Sequence, residues 1–342
     1  MVKLGYKLMA EEHGPTALVR NTVRAEQAGF AFAAISDHFF PWLDEQGHAP
    51  FAWSVLGAAA QATRQIELMT AVTCPIMRYH PAIVAQAAAT VAMLSENRFT
   101  LGLGAGERLN EHVVGEGWPG LGERHERLSE AYDIIRGLLD GSMKNYRGTY
   151  FVLEDAQLYD RPDRAPAIVG AAGGSEAARL AGRKADGMIT TAPQADLIEA
   201  FRSTGGKGPL YAEVPMCYAA SEDEAREIAH RYHRVVADRR PGNAGAAGYQ
   251  HFRGREQPYH PRRCCQGGQP RSLARASSEL DPKIYRRRFR SPDPDADRTR
   301  AGPVLRVLRA RAATYYFVIV SRKDPYLSSG LTRYRLEKPA GR

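Results

Sequence analysis

Along the first two-thirds of the chain, short apolar runs alternate with longer segments whose apolar positions recur every three to four residues. "KLGYKL" (Lys3–Leu8) reads as a strand, and "PTALVRNTVRAEQAG" as a helix with Pro15 near its start and Gly29 as its stop. "FAFAAIS", "IELMTAV" and "FTLGLGAG" read as the next three strands. Helices over "WSVLGAAAQAT" and "PAIVAQAAATVAML" separate them, the second with Pro81 at its start, and "RHERLSEAYDIIRGLLDG" is a long helix ended by Gly141. The stretch from Lys144 to Arg161 reads as an inserted hairpin. Then come "AIVGAAGG", "DGMITT" and "LYAEVPMCYA" as strands, with helices "SEAARLAGRKA", "ADLIEAFRST" and "SEDEAREIAHRYHRVVA" after them. The last helix opens on Ser221 with Glu224 three residues on, a capping box.

Strand-then-helix repeated seven times implies parallel strands joined by right-handed crossovers. A doubly wound sheet would satisfy that pattern. The placement of the unusual residues favours a (β/α)8 TIM barrel of the α/β class, its last unit poorly matched. Asp37-His38, Thr73-Cys74, Gly106-Glu107, Gly173-Gly174 and Thr190-Thr191 all fall just past the C-terminal ends of different strands. In a barrel those ends converge on the face that carries the site.

Charge divides the chain in two. Residues Arg239–Arg342 hold 24 Lys and Arg against 8 Asp and Glu, and the remainder holds 23 against 30. The alternation stops near Val235, so residues 1–236 are expected to form the catalytic barrel and residues 237–342 an aberrant, Arg-rich C-terminal region. Only "ATYYFVIVS" within it reads as a strand. An aperiodic Arg-rich tail is what a GC-rich gene encodes when read out of frame. A frame shift near Val235–Arg239 is therefore the expectation. The rival reading, a basic arm on a non-catalytic barrel that binds nucleic acid, leaves the missing eighth unit unexplained. No apolar run approaches the roughly 18 residues of a membrane helix, and the amino terminus "MVKLGYKLMAEEHGP" has no apolar h-region, so the chain reads as cytoplasmic. Four cysteines, Cys74, Cys217, Cys264 and Cys265, form neither a disulfide framework nor a zinc spacing, and no metal is expected.

Several strand-end residues carry chemistry. In "SDHFFPWLDEQGHAPFAW", His38 is a base near neutral pH and Asp37 a carboxylate that orients it or binds a cofactor hydroxyl. Phe39, Phe40, Trp42 and Phe51 supply either a wall for a flat ring or a small satellite core. "GLGAGE" (Gly102–Glu107) falls short of a dinucleotide fingerprint because Glu107 replaces the last glycine. It reads instead as a tight turn presenting Glu107, followed by Asn110 and Glu111, or as an acidic helix start. Gly173-Gly174 is a phosphate cradle at a helix start, or Ser175 is a simple N-cap. The phosphate-loop, zincin, Cys-x-x-Cys and nucleophile-elbow motifs are all missing from the sequence. His230 and His233 read as helix-surface residues.

"SDHFFPWLDEQGHAPFAW", "TCPIMRYHPAIVAQAAAT", "LGLGAGERLNEH" and "AAGGSEAARLAGRKADG", in this order, resemble the F420-dependent branch of the luciferase-like superfamily, to which F420-dependent glucose-6-phosphate dehydrogenases belong. The resemblance implies a (β/α)8 barrel, a homodimer, the deazaflavin F420 as cofactor and a small-molecule substrate. It implies that His38 is the base on the substrate hydroxyl, that Trp42 flanks the hydride-transfer site, that Glu107 is the proton donor to the deazaflavin, and that Glu11 is a substrate-side glutamate. It places Asp37, Cys74, Gly106, Asn110, Gly173 and Gly174 at cofactor-contacting positions, with Cys74 in place of a threonine, and Ala71-Val72 at a non-prolyl cis peptide. An FMN-dependent monooxygenase of the same superfamily is the alternative. The sugar-phosphate enzymes carry a lysine just after the sixth strand, and "TTAPQADLIEAF" has none, so glucose 6-phosphate is not the expected substrate.

Overall fold

A computed structural model describes residues 2–142, 144–191, 194–218 and 314–322, together with residues 221, 223 and 227. In chain order the elements are β1 (Val2–Leu8), α1 (Pro15–Gln27), β2 (Phe32–Ile35), α2 (Ala52–Ala62), β3 (Glu67–Thr70), α3 (Pro81–Leu94) and β4 (Phe99–Leu103). They continue with α4 (Arg108–Glu111), α5 (Leu121–Asp140), β5 (Tyr146–Arg147), β6 (Val152–Leu153), β7 (Ala167–Ala171), α6 (Ser175–Lys184), β8 (Gly187–Thr190), α7 (Ala195–Ser203), β9 (Leu210–Tyr218) and β10 (Thr314–Arg322).

Seven parallel strands run β1-β2-β3-β4-β7-β8-β9, and β10 closes the barrel between β9 and β1. The run "ATYYFVIVS" is thus a strand, as its composition predicts. It lies antiparallel to both neighbours, from Gly5↔Ile319 on one side to Ile319↔Glu213 on the other. Of the helix expected after Ser221, Asp223 and Glu227 are described and are helical; its other residues, with His230 and His233, lie outside the described residues, as does the rest of the Arg-rich tail. The expected hairpin is present as the β5–β6 pair.

Near-continuous apolar strands such as Phe32–Ile35, buried at every position, suit a sheet covered on both faces. The interior holds Phe32, Ala34, Met69, Ala71, Val169 and Ile189, with the Phe32 and Tyr211 rings edge-on at 5.6 Å. Gly5 is required here, because a Cβ would lie 2.2 Å from the Phe32 ring. Tyr6, Leu8, Ala33 and Ile35 face outward into the core shared with the helices. Helix signals hold at both ends. His80 caps α3 by accepting from the Ala82 N–H at 3.2 Å, with Pro81 at the first position. α5 ends on Gly141 at φ 78°. Helix α6 starts at Ser175 with Gly174 at the cap position and no side-chain cap, so Ser175 is not the N-cap.

The strand predicted through Val72 stops at Thr70, and Ala71-Val72, just past it, is a cis peptide. Pairing resumes at Thr73, bridged to Leu103. No helix among the described residues is long and apolar enough to cross a membrane.

Candidate active site

The site is built on the strand ends. From the β1 end comes Glu11, fully buried. Its Oε2 accepts from the Ser36 hydroxyl at 2.7 Å, and its Oε1 lies 3.4 Å from His38 Nδ1. The same Nδ1 lies 3.1 Å from the Phe40 carbonyl. Two acceptors at one ring nitrogen place the proton on Nδ1 and leave Nε2 as the acceptor of the neutral ring. The carboxylate that orients His38 is therefore Glu11, not its neighbour Asp37. Burial drives the Glu11 carboxyl up, but His38, Lys7 and the Ser36 hydroxyl together hold it below its ordinary value. A histidine with an ionised carboxylate behind it is equipped to take a proton at Nε2.

The Trp42 ring sits 5.1 Å from the His38 ring at 63°. Its loop is tied back to β1 through the His48 N–H on the Glu11 carbonyl (3.1 Å) and the Gln46 amide on Glu12 Oε1 (3.3 Å). Burial pushes the Glu12 carboxyl up to about 7 against the Gln46 hydrogen bond, and the Glu11 charge adds to the rise.

Asp37 faces away from His38 into a polar network. Its Oδ2 accepts from Thr73 Oγ1 at 2.8 Å, and its Oδ1 from Tyr79 at 3.1 Å and Arg78 Nη2 at 3.2 Å. The Arg78 guanidinium also reaches the Asp37 carbonyl at 2.9 Å, and Glu111 Oε1 lies 3.5 Å from its Nε. Burial opposes the Arg78 charge, and Asp37, Tyr79 and Glu111 outweigh that effect, so the cation is held. Asn110 Oδ1 accepts from the backbone N–H groups of Phe39 (2.9 Å) and Phe40 (3.2 Å), clamping the His38 loop.

Gly106 stands at φ 75°, where a Cβ would meet Cys74 Sγ at 2.4 Å. Burial, reinforced by Glu111, pushes the Cys74 thiol well up, so it stays protonated. The Gly106 turn is further held by Arg124 of α5, which donates to the Ala105 and Gly106 carbonyls at 3.3 Å and stacks on Trp118. Glu107 stands at the N-cap position of the short α4, past the end of β4. Gly173 and Gly174 are exposed at the start of α6 with open space where side chains would be.

The structure thus brings Glu11, His38 and Trp42 into one cluster. Asp37, Cys74, Gly106 and Asn110 form a network behind it, and Ala71-Val72, Glu107 and Gly173-Gly174 stand at other strand ends of the same barrel face. The sequence offers no reading for Ser36, Arg78 or Lys7, and for Thr73 only its place at a strand end. Arg78 stands inside the motif "TCPIMRYHP", and Lys7 interrupts an apolar strand, which was its available signal.

A profile of the luciferase-like monooxygenase family matches residues 2–272, past the compositional break. Among curated proteins, the F420-dependent glucose-6-phosphate dehydrogenase of Amycolatopsis mediterranei (strain U-32) is 46% identical over 192 residues, 56% of this chain and 58% of the relative. That of Beutenbergia cavernae is 48% identical over 191 residues, 56% and 57% of the two chains. The chain spans under 60% of the length of these curated relatives. An F420-dependent secondary alcohol dehydrogenase, solved with an F420–acetone adduct, superposes with a TM-score of 0.62 at 32% identity, over 66% of this chain and 72% of that one. The coenzyme F420-dependent tetrahydromethanopterin reductase of Methanopyrus kandleri, at 23% identity and a TM-score of 0.60 over 70% and 73% of the chains, shares the fold. With the family profile covering well over half of its length, the chain belongs to the luciferase-like monooxygenase family.

Proposed function

We propose that this chain is an F420-dependent oxidoreductase that moves a hydride between the deazaflavin and a small alcohol or its carbonyl, using the barrel that β10 closes. The observation that carries the reading is the Glu11–His38–Trp42 cluster, a histidine with its Nδ1 proton fixed and an aromatic wall beside it. The names of the relatives support F420 as the partner. The residues present fit such a group. Gly173-Gly174 leave open space at the amino end of a ten-residue helix, where an anionic group is favoured. Gly106, Ala71-Val72, Cys74, Asn110, Gly173 and Gly174 would hold it, with Asp37 supporting them from behind. When bound, F420 supplies a two-electron hydride acceptor or donor.

The protein's own part is proton management and positioning. His38 takes the hydroxyl proton at Nε2, and the Glu11 carboxylate stabilises the imidazolium that results. Trp42 shields that pair from water. Glu107, at the end of β4, is the proton source for the other half of the reaction. The lack of a lysine in "TTAPQADLIEAF", just after the sixth strand, favours a neutral substrate over a phosphorylated one. A homodimer belongs to the same reading, and sedimentation of the full chain tests it. Turnover of F420 with secondary alcohols, followed by deazaflavin absorbance, tests the function. The reading expects reduction with a neutral alcohol and little with glucose 6-phosphate. F420 bound without turnover of any alcohol or carbonyl would defeat it.

A further inference from the structure

Phe40 is held at three points. Its N–H donates to Asn110 Oδ1 at 3.2 Å, beside the Phe39 N–H at 2.9 Å. Its ring stacks on the His112 ring, with centroids 5.3 Å apart and planes at 20°. Its carbonyl is the nearer of the two acceptors at His38 Nδ1, at 3.1 Å against 3.4 Å for Glu11 Oε1. Pro41 comes next in the chain. A residue before proline is confined to extended backbone, so the direction of the Phe40 carbonyl follows from where its N–H is held. Asn110 and His112 belong to α4 and the turn after it, the segment that Glu107 opens. The Asn110 N–H donates back to the Glu107 carbonyl at 3.0 Å, and His112 Nδ1 to the Arg108 carbonyl at 2.8 Å. A hydrogen-bonded line therefore runs from the Glu107 backbone through Asn110 and Phe40 to the His38 ring. It joins the segments after β4 and β2, which are not neighbours in the sheet because β3 lies between them.

We infer that Asn110 is a positioning residue for His38: its amide oxygen, acting through Phe40, fixes the His38 proton on Nδ1 and so keeps Nε2 free to accept. This rests on the proposed role of His38 but not on the identity of the cofactor. The residue type suits the task. An amide oxygen serves two N–H groups with its two lone pairs and adds no charge, in a network where Asp37 and Glu111 already share the Arg78 cation. Asn110 is itself buried, so removing its oxygen leaves both N–H groups without an acceptor and frees the Phe40 carbonyl to turn away from His38.

The test is nitrogen-15 NMR of the histidine rings in the full chain without cofactor, at about pH 9, where an ordinary imidazole is neutral. The His38 signals are identified by their loss in His38→Gln. His80 is the internal reference, because its Nδ1 accepts from the Ala82 N–H and its neutral ring carries the proton on Nε2. The unaltered chain is expected to show His38 with its proton on Nδ1. In Asn110→Leu the signals of the two His38 ring nitrogens are expected to move toward each other as the proton is shared between them, with His80 unchanged. Asn110→Asp keeps an acceptor oxygen in either protonation state and is expected to restore the original pattern. A His38 ring that keeps its proton on Nδ1 in Asn110→Leu would overturn the inference and leave Glu11 as the sole orienter. An Asp variant that behaves as the Leu variant does, or a change at His80 alongside His38, would overturn it too. If Asn110→Leu does not fold, Asn110→Ala, which also lacks the oxygen, carries the test with the same outcomes. Because no cofactor is present, the result stands or falls separately from F420 binding.

Discussion

At the residue scale, His38 is fixed by two contacts on one nitrogen, which makes its role separable from folding. His38→Ala is expected to lower turnover about 100-fold or more, in the range of general-base loss, while F420 affinity stays within a few-fold. Steady-state kinetics beside a fluorescence titration checks this. Equal loss of affinity and turnover would point to a binding role instead. Glu12 provides a pH test of opposite sign to most carboxylates. Its folded carboxyl sits at about 7, above the ordinary value of 4.5. The folded state thus holds a proton that the unfolded chain releases, and stability falls as pH rises through that window. Glu12→Gln is expected to stabilise the protein by about 1–3 kcal/mol at pH 8 and to leave it unchanged at pH 4, as urea unfolding at the two pH values would show. Glu11 runs the other way. Its lowered carboxyl contributes stability above pH 4.5 that disappears as pH falls further.

At the element scale, Arg78 joins the loops after β2, β3 and β4. Arg78→Met would leave Asp37 and Glu111 as two buried carboxylates without their cation, at a cost of about 3–5 kcal/mol. Thermal unfolding should show it as a large drop in Tm, and a drop of under a degree would mean the network is solvated. The strands and helices were legible because apolar runs, Pro15, Pro81, Gly29 and Gly141 are local signals that the fold respects. The sites of His38, Trp42 and Glu107 were legible because they stand at strand ends. The partners were not. Asp37 looks like the natural orienter of His38 because it is adjacent in sequence, yet side chains of adjacent residues diverge at a strand end. Glu11 reaches His38 from a different strand, a distance no local pattern encodes. Lys7 pairs with Glu213 across 206 positions, and Ser175 lost the cap because the helix begins one residue earlier than its hydroxyl requires.

At the scale of the whole molecule, the barrel closes with an antiparallel strand taken from a compositionally different region. Removing residues 314–322 would leave β1 and β9 with unpaired edges facing each other. Such a truncation is expected to aggregate or to lose its cooperative melt, which size-exclusion chromatography and calorimetry would report. A truncated chain that stays monodisperse and melts as before would show that the seam is held by other means. The seven preceding strands still place the Glu11–His38–Trp42 cluster and the Gly106 and Gly173-Gly174 backbone on one face, which is the central claim. It is tested most directly by titrating the purified chain with F420 and with FMN side by side, following cofactor fluorescence. Selective, micromolar binding of F420 is the predicted result. Selective binding of FMN, or of neither cofactor, would contradict the account.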